Sequence, residues 1–395
     1  MKNTVLIFGA GASWDCIEGG GLKIPMSKSL YDVTEIGKIN ELQQALDSWT
    51  VVKNRAGSIQ NIILNDFAGK TEEYLTAKMD DPLEVGFMLH SIYYLRQLTS
   101  VGEKIAEDAN NYQKVFEWLL SQDKVHVSDV VNFNYDVICD TYFRNRYTIN
   151  HDPLAYLSNK TRLIKPHGSS DWYVLLDIAN TDKIKNYRDA IGRAAEKVNI
   201  GRDAILSANM SLANIQVADV SYFDDLLRGN SSLLPRPCLI LPLLSKELTK
   251  SFPELEVAMK DAINKADHLI LIGYKGADED FVDVITDRLE VGNKKLVISV
   301  VGGESAVDIR NGLIRLGANG LAGFTFARGF SKFVNVLLGK HSKQAVSIVA
   351  DGYLCVRDYD LVKDLFEQQI PRFISDTGLL LSKEFEASLN HEVTE

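Results

Sequence analysis

Several common features are scarce or missing in this sequence of 395 residues. No Cys-x-x-Cys pair occurs, and the four cysteines, Cys16, Cys139, Cys238 and Cys355, lie far apart. This spacing argues against a structural zinc site and a disulfide framework, and favours cysteines that are buried as small apolar side chains. No apolar run has the length needed to cross a membrane, since stretches such as 238–244 are short and contain proline. We therefore expect neither a bound metal nor a membrane span.

Clusters of lysine and arginine are also missing, and the formal net charge is −10. Direct binding of nucleic acid over a broad basic surface is therefore not expected. The content of 46% hydrophobic and 24% charged residues is typical of a globular protein. A strand-like run begins almost at the first residue, which leaves no room for a signal peptide, so we expect a cytoplasmic protein.

The most informative local pattern lies near the N-terminus. The apolar run Val5–Phe8 is followed directly by Gly9, Ala10, Gly11, Ala12 and Ser13, after which the pattern becomes helical. Glycines let a backbone approach a nucleotide phosphate, and the amides at the start of a helix attract negative charge. The dinucleotide-binding fingerprint has a third Gly or Ala where this chain has Trp14, so a plain strand-to-helix turn is the alternative.

The rest of the chain alternates strand-like and helical segments. Strand-like runs occupy 129–133, 163–165, 237–241, 268–272, 296–301 and 324–327. Helical periodicity predicts a helix from Met26 to about Trp49 and an apolar helical stripe made of Tyr112, Val115, Phe116, Leu119 and Leu120. Such alternation predicts an α/β fold, a Rossmann-like doubly wound parallel sheet.

Two segments do not fit the alternation. The helical periodicity of residues from about 50 to 120 predicts a helical insertion between the first two strands. Residues 339–395 predict a small C-terminal appendage, with a hairpin at Asp351-Gly352 and helical sequence after it. The expected division is therefore a catalytic domain, 1–338, and an appendage, 339–395.

Polar residues follow the strands where a ligand would bind. Asn134, Tyr135 and Asp136 come after one strand, and His167 lies in the segment 166–172 after the next. In an open α/β sheet, ligands bind at the carboxyl ends of the strands. An amide can hold a water molecule, a carboxylate supplies charge, and a histidine can accept a proton. Turn formation, helix capping and a structural histidine are the alternatives for these residues.

Taken together, GAGAS at 9–13, NYD at 134–136, KPHGS at 165–169 and IGY at 272–274 resemble the sirtuin (SIR2) superfamily in order and spacing. The resemblance covers about 1–338 and is closest to the SIR2-like effectors of bacterial anti-phage defence. It implies an NAD+ glycohydrolase that cleaves NAD+ to nicotinamide and ADP-ribose during abortive infection. NAD would be the substrate, with no metal.

The resemblance also implies roles for residues. Asn134 would hold the attacking water, Asp136 would contact the nicotinamide side of the pocket, and His167 would be the catalytic histidine. The residues expected to bind NAD are Gly9, Ala10, Gly11, Ala12, Ser13, Gly273, Tyr274 and Gly302. A homo-oligomer and a HerA-like ATPase partner are further implications.

Three departures from the sirtuin pattern count against protein deacylation. The two Cys-x-x-Cys pairs of the zinc module are missing, the Arg of the GIPDFR loop is missing from Lys23–Lys28, and no FGE-like loop occurs at Leu241–Lys246. Two alternatives to NAD+ hydrolysis stay open. One is an NAD-dependent protein deacylase, and the other is a non-catalytic subunit of a defence assembly that binds NAD or ADP-ribose.

Overall fold

Two β-sheets organise the part of the chain that the computed structural model describes, which is residues 2–17, 23–24, 26, 31–32, 50–68, 71–78, 98–107, 110–121, 125–147, 152–177, 211–217, 225, 233–239, 252–276, 278–292 and 294–338. The larger sheet has six strands: β1 (Lys2–Phe8), β2 (Val125–Asn132), β3 (Arg162–Ile164), β7 (His268–Ile272), β8 (Leu296–Val301) and β9 (Gly320–Phe326). The smaller has three: β4 (Gly168–Asp177), β5 (Gln216–Val217) and β6 (Leu233–Leu239).

The six-stranded sheet confirms the predicted α/β class. Its strand order is β3-β2-β1-β7-β8-β9, and all neighbouring strands pair in parallel. This is the doubly wound order in which the chain reverses direction between two central strands, here β1 and β7. Both β7 and β8 are buried along their whole length, as continuous apolar runs in a parallel sheet require.

Helices cover the six-stranded sheet. They are α1 (Ala10–Trp14), α2 (Thr50–Asp66), α3 (Thr71–Ala77), α4 (Leu98–Glu107), α5 (Asn111–Leu120), α6 (Ile138–Tyr147), α7 (Pro153–Leu157), α8 (Pro253–Lys265), α9 (Glu279–Val291), α10 (Ala306–Ile314) and α11 (Phe330–Leu337). Helix α5 packs on β2, α6 and α11, whereas α8 packs on β1, β2, β3 and α9. Helix α5 lies in the connection from β1 to β2, and α8 lies in the connection that returns from β3 to β7. Right-handed connections that run in these opposite directions place their helices on opposite faces of the sheet.

The predicted insertion between β1 and β2, at about 50–120, is mostly helical where it is described. It contributes α2, α3, α4 and α5. Leu120 is 42% exposed, so the end of the predicted apolar stripe on α5 was wrong. The predicted helix from Met26 also fails at its start, because Met26, Tyr31 and Asp32 are not helical, and its remainder, 33–49, lies outside the described residues.

The strand expected at 237–241 does not join the parallel sheet. It forms β6, which pairs antiparallel with β4, the strand that begins at Gly168 in a segment expected to be a polar turn. Pro235 and Pro237 explain the difference, because proline donates no amide hydrogen bond and is confined to strand edges. Strand β6 accordingly lies at the edge of the small sheet.

The remaining expectations concern membrane spans, metal sites, the cysteines and the C-terminal appendage. In the described ranges, no helix is long and apolar enough to cross a membrane, and no group of three His, Cys, Asp or Glu side chains is placed to hold a metal. Cys16, Cys139 and Cys238 are buried free thiols, as predicted. Cys355 and the appendage 339–395 lie outside the described residues.

Candidate functional site

The turn between β1 and α1 packs directly against the loop that follows β7. The amide of Gly11 donates to the carbonyl of Gly273 at 3.0 Å. A Cβ on Gly9 would lie 2.7 Å from the Cα of Tyr274, and a Cβ on Gly273, whose φ is +61°, would lie 2.1 Å from the nitrogen of Ala12. Glycine at these positions is therefore required for contact between the two loops, at the point where the strand order reverses.

This packing limits which part of the 9–13 turn can meet a ligand. The amide of Ala12 donates to the carbonyl of Gly9 at 2.8 Å, and that of Gly11 is occupied by Gly273. Ala12 and Ser13 are fully buried, whereas Ala10 and Gly11 are half-buried. The amide of Ala10 has no hydrogen-bond partner within the described residues. The sequence-based assignment of the whole turn to phosphate binding stays a prediction, and the Ala10 amide is the donor best placed to serve it.

Asn134 is held in one orientation by the same turn. Its side-chain nitrogen lies 3.0 Å from the Gly9 carbonyl, 2.9 Å from the Ser13 hydroxyl and 3.0 Å from the Tyr112 hydroxyl, and these three oxygens share its two hydrogens. A carbonyl only accepts hydrogen bonds, so the contact with Gly9 identifies the amide nitrogen. No described residue donates to the amide oxygen of Asn134, which leaves an oriented acceptor in a side chain that is 5% exposed.

Tyr112 is the member of this cluster that the sequence reasoning missed, because it counted only as part of an apolar stripe. Its hydroxyl lies 2.8 Å from that of Ser13, and its ring packs on Phe8 with centroids 4.8 Å apart. A buried tyrosine usually finds a partner for its hydroxyl, and that rule was the signal available in the sequence. Tyr112 therefore joins α5 to the end of β1 and to Asn134.

Asp136 is a buried carboxyl with one oxygen unused. The side chain is 1% exposed, and Oδ1 accepts from the amide of Ile138 at 3.1 Å. Oδ2 has no hydrogen-bond partner among the described residues. Burial raises the pKa of the Asp136 carboxyl, while the positive charge of Lys165 and the nearby Ser13 hydroxyl act to lower it. A buried oxygen without a partner is costly, so a ligand that donates to it would be stabilised.

Lys165 connects the Asp136 loop to the segment that follows β3. This fully buried side chain donates to three oxygens: the Asp136 carbonyl at 2.8 Å, Asp140 Oδ2 at 2.7 Å and Ser169 Oγ at 3.0 Å. Burial raises the pKa of Asp140, and the charge of Lys165 opposes that shift. The ammonium group thus neutralises Asp140 and fixes the backbone on both sides of the site.

His167 lies beside Asn134 at the same edge of the sheet. Its ring contacts Phe133, at 5.1 Å between centroids, and Tyr135, at 6.2 Å, which are the two neighbours of Asn134. Its Nε2 is 2.9 Å from Oδ2 of Asp278. The sequence predicted Asp278 as the N-cap of α9, and the structure confirms the cap, but the contact with His167 was not foreseen.

The last two predicted binding positions also lie at this edge. Tyr274 is buried and stacks on Phe133 with centroids 4.7 Å apart, so it fixes the loop after β7. Gly302 follows β8, and among the described residues a Cβ there would meet only the Cβ of Ala306, at 3.6 Å. The amide of Gly273 donates to the carbonyl of Val301 at 2.8 Å, which joins the ends of β7 and β8. Their contact with NAD stays a prediction.

A small pocket with a cavity volume of about 20 Å³ opens beside His167. The residues that line it are Pro166, His167, Phe252, Leu255, Glu256, Met259, Asp278 and Asp280. Its apolar residues come from α8 and the residue before it, and its carboxylates come from Glu256, also on α8, and from Asp278 and Asp280 at the start of α9. Burial and the nearby charges of Asp278, Glu256 and Asp283 raise the pKa of Asp280 to about 6.

Comparison with known proteins gives matches to solved structures only. No protein-family model and no curated protein matches the chain. A structure described as the basis for the mechanism and regulation of Sir2 enzymes is 11% identical, with a TM-score of 0.32, over 86% of this chain and 91% of that one. Two Sir2 variants, one with deacetylated p53 peptide and 3'-O-acetyl-ADP-ribose and one with p53 peptide and NAD, are 11% and 12% identical. Both have a TM-score of 0.29, over 85% of this chain and 92% of theirs.

These matches are Sir2 enzymes, the superfamily that the sequence motifs resemble. TM-scores this low carry no argument about the chemistry of the site, which rests on the residues described above.

Proposed function

We propose that this protein is an NAD+ glycohydrolase, which cleaves NAD+ to nicotinamide and ADP-ribose. The observation that carries the proposal is the fixed placement of Asn134 and His167 at the point where the strand order reverses. Asn134 is bonded to the turn after β1, and the His167 ring packs against both neighbours of Asn134. In open α/β sheets this reversal point is where dinucleotides bind.

The unused polar atoms of the site fit NAD as the substrate. The free amide of Ala10 is available to a phosphate oxygen, and the unpaired Oδ2 of Asp136 is available to the carboxamide of the nicotinamide. Gly302 leaves space at the end of β8, where a side chain would otherwise project. Each of these groups lies at the carboxyl edge of the same parallel sheet.

The side chains supply what hydrolysis of an N-glycosidic bond needs. The nicotinamide is a good neutral leaving group, so the enzyme must orient the ribose, stabilise an oxocarbenium-like transition state and admit one water molecule. The amide oxygen of Asn134 is an oriented acceptor for that water. His167 accepts the proton that the water loses as it attacks. Phe133 packs on the His167 ring and Tyr274 stacks on Phe133, so aromatic side chains cover one side of the proposed base.

Incubation of the purified protein with NAD+ and no peptide tests this proposal. Chromatography should show nicotinamide and ADP-ribose in equal amounts, and the Asn134→Ala and His167→Ala variants should fold but lose turnover. Unchanged turnover in either variant would remove that residue from the mechanism. Binding of NAD+ by the native protein without any product would instead establish the non-catalytic binding protein.

Protein deacylation is a second candidate, favoured by the apolar wall of the pocket beside His167. Phe252, Leu255 and Met259 could accept the acyl chain of a modified lysine. A deacylase would release nicotinamide only when an acylated peptide is present, so adding such a peptide to the same assay separates the two activities. The missing zinc-module cysteines weigh against deacylation.

We further propose that the activity serves prokaryotic anti-phage defence. An enzyme that depletes NAD+ must be inactive until needed, so control by a homo-oligomer and by a HerA-like ATPase partner is expected from the resemblance. Co-expression with a candidate ATPase tests the partner: the two proteins should co-purify, and the ATPase should change the rate of NAD+ cleavage. Separate elution together with an unaltered rate would contradict this partner.

A further inference from the structure

One ring nitrogen of His167 has a partner that the proposed chemistry does not yet use. Nε2 of His167 lies 2.9 Å from Oδ2 of Asp278, and the two side chains are 12% and 13% exposed. Among the described residues, Asp278 is the only hydrogen-bond partner of the ring. Nδ1 has none.

The Asp278 carboxylate is itself fixed in place. Its Oδ1 accepts from the amide of Phe281 at 3.0 Å and thereby caps α9, while Oδ2 faces His167. Burial acts to raise the pKa of Asp278, but the hydrogen bond and charge of His167, together with the hydrogen bond from the Phe281 amide, outweigh it, so the pKa is lowered. An ionised carboxylate only accepts hydrogen bonds, which requires Nε2 of His167 to carry the hydrogen.

We propose that Asp278 is the positioning residue of His167, and that it fixes the ring tautomer so that Nδ1 accepts the proton from the attacking water. The proposal rests on the proposed hydrolysis of NAD+. In that step the water oxygen bonds to C1' of the ribose, the bond from C1' to the nicotinamide nitrogen breaks, and nicotinamide leaves with the electron pair. The proton of the water passes to Nδ1 and later to solvent.

The Asp278→Asn variant separates positioning from structure. Asparagine is an equally good N-cap, and its oxygen is needed by the amide of Phe281, so its NH2 group would face Nε2 of His167. The hydrogen would then move to Nδ1, which could no longer act as the base. We expect kcat to fall on the order of a hundredfold or more, while KM stays within about twofold.

Two further variants complete the kinetic test. Asp278→Ser keeps a capping side chain but cannot reach His167, so the same loss of kcat is expected. Asp152→Asn changes another N-cap aspartate in the same way, at α7, and should leave kcat unchanged. If Asp278 only capped α9, the Asn and Ser variants would keep native kcat, and that result would overturn the proposal.

A spectroscopic measurement tests the tautomer without any turnover. In protein labelled with [15N]histidine, the His167 signals are those missing from His167→Gln, among seven histidines. At about pH 8.5, where imidazole is neutral, native protein should show hydrogen on Nε2 and Asp278→Asn should show it on Nδ1. Hydrogen on Nδ1 in the native protein would refute the positioning role even if NAD+ is cleaved. Hydrogen on Nε2 would support it even if NAD+ hydrolysis were not the reaction.

Discussion

At the scale of single residues, the orientation of Asn134 depends on three acceptors contributed by distant parts of the chain. The nearest in sequence, Tyr112, is 22 residues away, and Gly9 is 125 residues away. Their combined effect is to turn a flexible amide into a rigid acceptor. Catalytic groups held in this way lose less entropy when the transition state forms.

Tyr112→Phe tests how much of that orientation comes from one hydroxyl. The ring should keep its packing on Phe8, while Asn134 and Ser13 lose a partner, so we expect a loss of about 1 kcal/mol in the free energy of unfolding. Turnover of NAD+ should fall about tenfold, because the Asn134 amide is less tightly held. Urea unfolding and the nicotinamide assay measure the two effects.

Tyr142→Phe is the matched control for that substitution. Tyr142 stacks on Phe116 with centroids 4.9 Å apart, and no described residue accepts or donates a hydrogen bond at its hydroxyl. Its removal should leave both stability and turnover close to those of the native protein. An equal loss of turnover in both variants would show that the Tyr112 hydroxyl has no special role.

At the scale of elements, α4 packs against the start of α6, and Gly102 lies at the contact. A Cβ on Gly102 would lie 2.9 Å from Cγ2 of Val137 and 3.0 Å from its backbone nitrogen. Val137 follows Asp136, so the position of α4 bears directly on the candidate site. Gly57, in α2, has no atom of the described residues within 4 Å of a Cβ position.

Replacing these two helical glycines by alanine should therefore have opposite effects. Gly57→Ala should raise the free energy of unfolding by about 0.5–1 kcal/mol, since alanine favours the helix and meets no clash. Gly102→Ala should destabilise the protein and reduce NAD+ turnover, since α4 must move away from Val137. Thermal unfolding of the two variants provides the measurement, and stabilisation by Gly102→Ala would contradict the packing described for α4.

The link between α6 and the strand end after β3 depends on a buried ion pair. Lys165 and Asp140 are fully buried with 2.7 Å between Nζ and Oδ2. Lys165→Met would leave Asp140 without its cation, and we expect a loss of about 3–5 kcal/mol in the free energy of unfolding. Urea unfolding measures this loss.

A surface ion pair with the same distance between nitrogen and oxygen provides the comparison for the buried pair of Lys165 and Asp140. Lys265 and Asp261 are also 2.7 Å apart, but the Lys265 side chain is 65% exposed. Solvent screens such pairs, so Lys265→Met should change stability by less than about 0.5 kcal/mol. Equal losses in the two variants would show that burial does not determine the strength of the Lys165 pair.

At the scale of the whole molecule, a buried neutral histidine makes stability depend on pH. His268, at the start of β7, is 1% exposed, and its Nε2 lies 2.7 Å from Oγ of Ser299. Burial lowers its pKa from 6.5 to about 3. The unfolded chain therefore binds a proton at this position between these values while the folded protein does not, so folding is progressively disfavoured as the pH falls through that window.

Comparison of the native protein with His268→Gln isolates this contribution. His268 should lower the free energy of unfolding by about 1.4 kcal/mol for each pH unit below 6.5, which amounts to about 2 kcal/mol at pH 5. The variant should therefore lose less stability than the native protein between pH 7 and pH 5. The carboxylates titrate in both proteins and cancel in the difference. Parallel stability profiles over that range would show that His268 is not kept neutral by the fold.

The sequence by itself determined the features that depend on neighbours along the chain. Continuous apolar runs predicted β7 and β8 with the bounds that the structure shows. The position of Asp278 before an apolar helical stripe predicted the N-cap of α9. The order of the GAGAS, NYD and PHGS motifs placed all three after strands of a parallel sheet. These features are local, because periodicity, turn chemistry and capping act within a few residues.

Only the tertiary structure decided which of these segments touch. The contact between His167 and Asp278 joins residues 111 apart in sequence, and Lys165 meets Asp140 across 25 residues. The contact of Gly9 and Gly273 with NAD stays a prediction, and the structure adds that both glycines are needed for the turn at 9–13 to pack against the loop after β7. Such contacts depend on strand order and loop packing. A one-dimensional pattern places residues at the same edge of a sheet, but it does not specify which side chains meet there.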